Sequence, residues 1–319
     1  MLGLTEKYRD SFVVIGNNKD IESVLKAIVK LEYDLNKDIF HWDELDTCQF
    51  LMEFHSISPI SLNSRMTVLR NFANYIAEKE SVVSRSFDIG SNQLIDCIDM
   101  EKLLSLTIDY NQYMFIKNQL TLDDENVRDK LIFELAWIGL TNEQMKLIKE
   151  ADVIFEPSEY GWDYAFIMSE NRTIKIEDPE VVEDIKKVLA ETEYIIETTS
   201  ARSPVRRLKY KDSEYLLKPI SVGRGKKESY MDNPGLTLKN LFNQGRPDGT
   251  TRVNTITPPD GIDLHNLTIE DIRRSKLIYL LTEENKEYFD MNLITVMFEL
   301  KNDSSLYWLR KVANEKYKK

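Results

Sequence analysis

The stretch Phe133–Phe155, FELAWIGLTNEQMKLIKEADVIF, reads as the end of one helix, a sharp turn, a second helix and the start of a strand. Its turn is Gly139-Leu140-Thr141-Asn142-Glu143. A glycine after an apolar helical run suits the left-handed position just past a helix end, which residues with a Cβ adopt at a cost. Thr141, with Gln144 three residues on, has the pattern of a capping box for the next helix. Met145, Leu147 and Ile148 give that helix an apolar side, and ADVIFEP then reads as strand and turn.

Upstream, ENVRDKLIFELAWIGL reads as an amphipathic helix that ends at Gly139. Downstream, DYAFIMSENRTIKIED reads as two short strands around a polar turn. PEVVEDIKKVLAETEYI reads as a helix with proline in its first turn. The helices GLTLKNLFNQG and TIEDIRRSKLIYLL follow, and the chain closes with helices from about Met291. The first 80 or so residues read as helices with apolar stripes, among them Leu62, Met66, Leu69, Phe72, Tyr75 and Ile76. SVVSRSFDIGSN has four serines, a glycine and no sustained period, so it reads as a linker. The expected organisation is therefore a helical domain over 1–84, a linker over 85–98, and a second domain over 99–319 that is mainly α with a small antiparallel sheet.

Composition narrows the function classes. The 319 residues are 42% apolar and 30% charged, as in ordinary globular chains. No apolar run approaches the ~18 residues of a membrane span, and the charged N-terminus MLGLTEKYRDSF is unlike a signal peptide, so a cytoplasmic protein without a membrane partner is expected. Cys48 and Cys97 lie far apart and form no CxxC pair, and a disulfide between them is not expected in a reducing compartment. His41, His55 and His265 have no metal-ligand spacing, and no metal or cofactor is expected. A net charge of −12 argues against a protein that coats nucleic acid, unless the positive charge is gathered locally.

The order of parts resembles the tyrosine recombinase (phage integrase) family. ISPISLNSRMTVLRNFANYIAEKE resembles a helix of that family's core-binding domain. RDKLIFELAWIGLTNEQMKLIKEADV resembles its first catalytic box, and NLTIEDIRRSKLIYLL its second. The likeness covers roughly residues 20–317 and implies a two-domain clamp around DNA. Within the boxes the catalytic positions depart from the family. Thr141 stands where the resemblance expects the first arginine, whose fixed guanidinium would stabilise extra negative charge on the reacting phosphate. Glu270 stands at the histidine position, where a carboxylate repels phosphate, and Arg273 keeps the arginine. The hairpin lysine has no clean match, with Arg172 and Lys175 nearby. MFELKNDSSLYWLRKVANEKY lacks the expected Gly-His, and Tyr307 and Tyr317 bracket the nucleophile's spacing. The resemblance thus implies a DNA-binding regulator, a prophage repressor that maintains lysogeny, without catalytic residues. The alternatives are a divergent active recombinase using Tyr307 or Tyr317, and a protein-interaction scaffold that does not bind DNA.

Between Arg202 and Lys227 nine basic residues stand against Asp212 and Glu214, and the rest of the chain is correspondingly more acidic. Such segregation is the footprint of an anionic partner, although a solvated loop has the same composition. Arg202, Arg206, Arg207, Lys209, Lys211, Arg224, Lys226 and Lys227 are the candidate contacts there. Arg252, Arg273, Arg274 and Lys276 form a second group, whose alternative is salt bridging with Glu270 and Asp271. In the first domain Arg65 and Arg70 are candidates because the family presents that helix to the major groove. The expected partner is double-stranded DNA at operator sites. A regulatory protein or peptide partner fits this class too, as does a monomer or a weak homo-oligomer.

Overall fold

The computed structural model describes residues 3–16, 19–83, 87, 89–121, 127–169, 172–197, 205–220, 230–243, 256–282, 291–300 and 304–317. The chain divides into two compact units, Met1–Leu103 and Leu104–Lys319. Both are mainly helical, and the second also holds small antiparallel sheets. Among the described residues no helix is long and apolar enough to cross a membrane.

The first unit contains α1 (Leu4–Gly16), α2 (Lys19–Leu35), α3 (Glu44–Met52), α4 (Pro59–Glu80) and α5 (Ser91–Asp96); α6 (Met100–Ser105) spans the division. α2 buries Val24, Leu25, Ile28 and Leu31, and α4 buries Leu62, Met66, Leu69, Phe72, Ala73 and Ile76, as their periods require. Ser58 caps α4 by accepting from the Ser61 amide at 3.3 Å, with Pro59 in the first turn, where its missing N–H costs nothing.

The segment read as a linker belongs to this unit. Ser91–Asp96 is helical, and Phe87, Leu94, Cys97 and Ile98 are buried. Serine content misled because the anchoring groups are single apolar residues with no period. Cys97 is bonded to Cys48 of α3 with a Cα–Cα distance of 5.9 Å, contrary to the expected pair of separate thiols. A sequence separation of 49 carries no signal of this contact, which the return of α5 onto α3 creates.

The second unit continues with α7 (Tyr110–Thr121), α8 (Val127–Ile138), α9 (Asn142–Leu147), β1 (Val153–Pro157), β2 (Asp163–Ser169), β3 (Arg172–Ile176) and α10 (Pro179–Ala190). There follow β4 (Glu193–Glu197), β5 (Val205–Lys209), α11 (Pro234–Phe242), α12 (Ile269–Leu280), α13 (Met291–Met297) and α14 (Ser304–Lys316). β1, β2 and β3 form an antiparallel sheet in that order, with Ile167 opposite Ile174 and Ala165 opposite Ile176 on the buried face.

α8 is the hub of this unit and packs against α7, α10, α11 and α12. It was expected to be amphipathic, yet every residue from Val127 to Trp137 is buried, including Arg128, Asp129, Lys130 and Glu134. The charges are tolerated because each meets an opposite charge: Lys130 Nζ lies 2.6 Å from Asp184, and Lys117 Nζ lies 3.4 Å from Glu134, 3.1 Å from Asp178 and 3.0 Å from Glu180. Burial pushes the Glu134 carboxyl up to about 8, with Asp184 adding to the shift and Lys117 and Lys130 opposing it. Burial also opposes charge on Lys117, but the carboxylates around it win and hold it above its ordinary value. Lys117 keeps Asp178 and Glu180 as partners when Glu134 takes a proton.

α10 stops at Ala190, and the residues after it, read as continuing the helix, form β4, paired antiparallel with β5 from the basic segment.

Candidate nucleic-acid interface

The Gly139 turn forms as its residues dictate. Gly139 has φ +110°, and a Cβ there would lie 2.9 Å from the Phe298 ring, so both backbone and space demand glycine. Thr141 Oγ1 accepts from the Gln144 amide at 3.1 Å, and Gln144 Oε1 accepts from the Thr141 amide at 2.9 Å, which completes the capping box.

Two arginines converge behind this turn. Arg273 on α12 donates from Nε to the Gly139 carbonyl at 2.8 Å, from Nη1 to Glu270 at 2.8 Å and from Nη2 to the Phe298 carbonyl at 3.4 Å. Arg172 at the start of β3 donates from Nη2 to the same Gly139 carbonyl at 3.4 Å, and its Nε lies 3.2 Å from Glu299. Gln144 Nε2 donates to the other Glu299 oxygen at 2.8 Å. Burial lowers the Arg172 pKa, with Glu299 opposing the shift and Arg273 adding to it. The guanidiniums thus tie α8, β3, α12 and the segment after α13 together. Neither Arg172 nor Glu299 was a candidate contact by sequence, because their meeting depends on residues far apart in the chain.

Beside the turn lies a cleft of about 580 Å³ lined by Thr141, Glu143, Gln144, Leu147, Ile148, Asp152, Met168, Ser169 and Glu299. Among the described residues its lining holds three carboxylates and no lysine or arginine. Tyr307, on α14, is 65% exposed.

The other α12 cations are also engaged. Arg274 pairs with Asp271, so the salt-bridging alternative describes both arginines of this helix. Lys276 lies over the Trp137 ring at 5.2 Å and the Tyr279 ring at 5.0 Å, and burial alone lowers its pKa to about 8. As phosphate contacts, Arg273 and Arg274 would have to leave carboxylate partners already in place.

The basic segment is only partly described. Arg202, Arg224, Lys226, Lys227 and Arg252 lie outside the described residues, as does the side chain of Arg206. Arg207 on β5 reaches Glu193 at 3.5 Å. Lys209 and Lys211 line a cleft of about 460 Å³ with Lys218, opposite Glu150, Glu191, Glu193 and Asp212. The acids opposing this segment are therefore more than the two adjacent in sequence, because β4 and the turn before β1 bring others alongside. Beneath it, buried Arg128 sits 4.7 Å from the Tyr194 ring and 5.1 Å from the Tyr210 ring, pairs with Asp129 at 2.9 Å and donates to the Lys218 carbonyl at 2.8 Å. Tyr210 thus packs locally, donating to Glu191 at 3.3 Å, and Arg128 is an anchor for the segment that the sequence did not reveal.

In the first unit, Arg65 and Arg70 differ from the α12 pair. Arg65 lies over the Phe54 ring at 5.3 Å. Arg70 donates from Nε and Nη2 to the Phe87 carbonyl at 3.2 and 2.8 Å, which makes it a fastener for the segment after α4.

No protein-family model matches this chain, and no curated protein matches it. Among solved structures, the chain is similar to the Tn1549 transposon integrase in complex with a circular intermediate DNA, at 13% identity over 99% of this chain and 95% of that one, TM-score 0.46. It is also similar to the XerH site-specific recombinase bound to its difH substrate, at 12% identity over 89% and 76%, TM-score 0.42, and to the XerA recombinase, at 10% identity over 99% and 96%, TM-score 0.37.

Proposed function

We propose that this protein is a sequence-specific DNA-binding regulator of recombinase-like build that does not cut DNA, similar in kind to the lysis–lysogeny repressor of SPbeta-like prophages. The observation that carries the non-cutting part is the cleft beside Thr141. Phosphoryl transfer needs fixed positive groups aimed at oxygens whose negative charge grows in the transition state. Here Thr141, Glu143, Asp152 and Glu299 line the cleft, and the nearest arginines already hold Gly139, Glu270, Phe298 and Glu299. Carboxylates facing a phosphate raise the barrier by repulsion. The DNA-binding part rests on the boxes that resemble recombinase sequence and on the nine basic residues gathered between Arg202 and Lys227.

Two measurements test the reading. Retention of genomic fragments by the full chain should select particular sites and weaken steeply with salt, since displaced counterions drive binding to duplexes. Replacing Arg206 and Arg207 by alanine should weaken that binding by about 1–3 kcal/mol for each lost charged contact. Retention of no fragment at low salt would point instead to an interaction scaffold. A second reading, an active recombinase, draws on the exposed hydroxyl of Tyr307. A nicked suicide duplex carrying the selected site distinguishes it: a covalent adduct lost in Tyr307→Phe would establish cleavage and sink the proposal.

A further inference from the structure

Cys48 and Cys97 are the two cysteines of the chain, and the fold brings them together at a Cα–Cα distance of 5.9 Å. Cys48 lies on α3 and is partly exposed, whereas Cys97 ends α5 and is 1% exposed. With no third thiol in the chain, the pair has no competing partner within it. The bond fastens the last stretch of the first unit, which ends at Leu103, shortly after Cys97.

Apart from that bond, α5 is held by modest contacts. Its six residues are too few for a helix to persist without tertiary support. That support includes Leu94 and Ile98 in the core, Gln93 Nε2 donating to Glu44 of α3 at 2.8 Å, and the Asp99 amide donating to the Ser56 carbonyl at 2.9 Å. The Gln93–Glu44 contact is exposed, where water competes for both groups. Undocking α5 from α3 is therefore a small local opening when the thiols are free, and it is blocked while they are bonded. The open state is provided for as well. The Gln93 carbonyl lies 3.2 Å from Cys97 Sγ and 3.9 Å from Cys48 Sγ, so each thiol has an acceptor at hand when the bond is broken.

We propose that Cys48 and Cys97 are a reversible redox fastener, closed by a peroxide and opened by a dithiol, that anchors the end of the first unit and so tunes DNA affinity. The affinity part rests on the DNA-binding reading above. In closure, the partly exposed Cys48 thiolate attacks one peroxide oxygen: an S–O bond forms, the O–O bond breaks, and the other oxygen leaves as water after taking a proton. Cys97 then attacks that sulfur: the S–S bond forms, the S–O bond breaks, and a second water leaves. The thiol pair is oxidised by two electrons and the peroxide reduced by two. In opening, a dithiol attacks Cys48 Sγ, Cys97 leaves and takes a proton, and the reductant's second thiol expels Cys48 as it closes its own disulfide. The closed bond anchors the chain to α3 as far as Cys97, while the open bond allows α5 to join the tether that leads into the second unit. Where two units hold one duplex, lengthening the tether between them lowers the effective concentration of the second. The oxidised chain is thus the tighter binder.

The test uses the full chain after treatment with stoichiometric hydrogen peroxide or with dithiothreitol, each removed before measurement. Thiol alkylation read by mass spectrometry should show the native chain passing fully between the bonded and the free pair. On reduction, amide exchange across residues 91–97 should quicken at least tenfold while that of α4 is unchanged. Affinity for a duplex selected from genomic fragments should fall about threefold. C48S/C97S should match the reduced chain and respond to neither treatment, which separates the pair from methionine oxidation. A bond that dithiothreitol opens only in denaturant, or thiols that peroxide does not join, would overturn the proposal. Unchanged exchange, or unchanged affinity between the two states of a chain that does bind, would overturn it as well. If neither state retains any duplex, the DNA-binding reading falls and takes the affinity part with it, while exchange across 91–97 still decides whether the fastener exists.

Discussion

α4 and α12 each carry two arginines, and the two helices give them different partners. On α12, Arg273 and Arg274 are bound to Glu270 and Asp271, one turn back on the same helix, and Arg273 also holds two backbone carbonyls. On α4, Arg65 leans on a phenylalanine ring and Arg70 on a carbonyl, with no carboxylate in the helix before Glu78. A basic residue in a sequence is therefore not yet positive potential at a surface. Acids three or four residues away neutralise it, and buried carbonyls can claim it for structure. α12 commits both of its arginines to cohesion, whereas α4 commits Arg70 and carries an exposed, uncharged polar stripe from Asn63 to Asn74.

Four substitutions would break or sharpen this contrast. The largest effect is expected from Arg273→Ala, which leaves the Gly139 carbonyl only the longer Arg172 contact at 3.4 Å, strips the Phe298 carbonyl of its donor and leaves Glu270 unpaired. Thermal and urea unfolding should show a loss of about 2–4 kcal/mol. An unchanged midpoint would mean that the α12 arginine is not a fastener, and the contrast with α4 would disappear. Gly139→Ala follows, at about 2–3 kcal/mol, because φ +110° strains any L side chain and the new Cβ meets the Phe298 ring at 2.9 Å.

Glu134→Gln probes the buried charges of the second unit through pH. The folded carboxyl, pushed up to about 8 from an ordinary 4.5, keeps its proton while the unfolded one has lost it. Its stabilising contribution is thus present below pH 4.5 and is lost as pH rises through 8. Midpoints of wild type should decline relative to Glu134→Gln across that window, and parallel curves would show that the carboxylate is ionised throughout. The smallest stability effect is expected from Arg65→Ala, within about 0.5 kcal/mol since no ion pair is lost, together with a DNA affinity weaker by about 1 kcal/mol. A large loss of stability with unchanged affinity would place Arg65 with the α12 arginines.

Much of the local structure was legible in the sequence. The Gly139 turn, the Thr141–Gln144 box, the Ser58-Pro59 start of α4 and the β2–β3 hairpin strands were all read, because each is governed by residues within a few positions of one another. Where the reading failed, the deciding partner was distant. α8 reads as an amphipathic helix because its charges look like a solvated face, and the lysine and the acid that let it be buried come from α7 and α10. The segment after α4 reads as a linker because nothing near it shows that Phe87 and Cys97 are claimed by Arg70 and Cys48. Among the candidate contacts, Arg273 reads in the sequence as a phosphate contact, and the fold gives it a clasp on the Gly139 carbonyl that no nearby residue announces.

By itself, then, the chain's sequence determined its mainly helical class and its caps and turns. These depend on backbone hydrogen bonding and side-chain identity over short spans. Tertiary structure alone decided which cations remain available, where the first unit ends, and that α8 lies at the centre of the second. Those outcomes depend on desolvation and pairing between residues as far apart as Arg273 and Gly139, and only the packed chain brings such groups within hydrogen-bond reach.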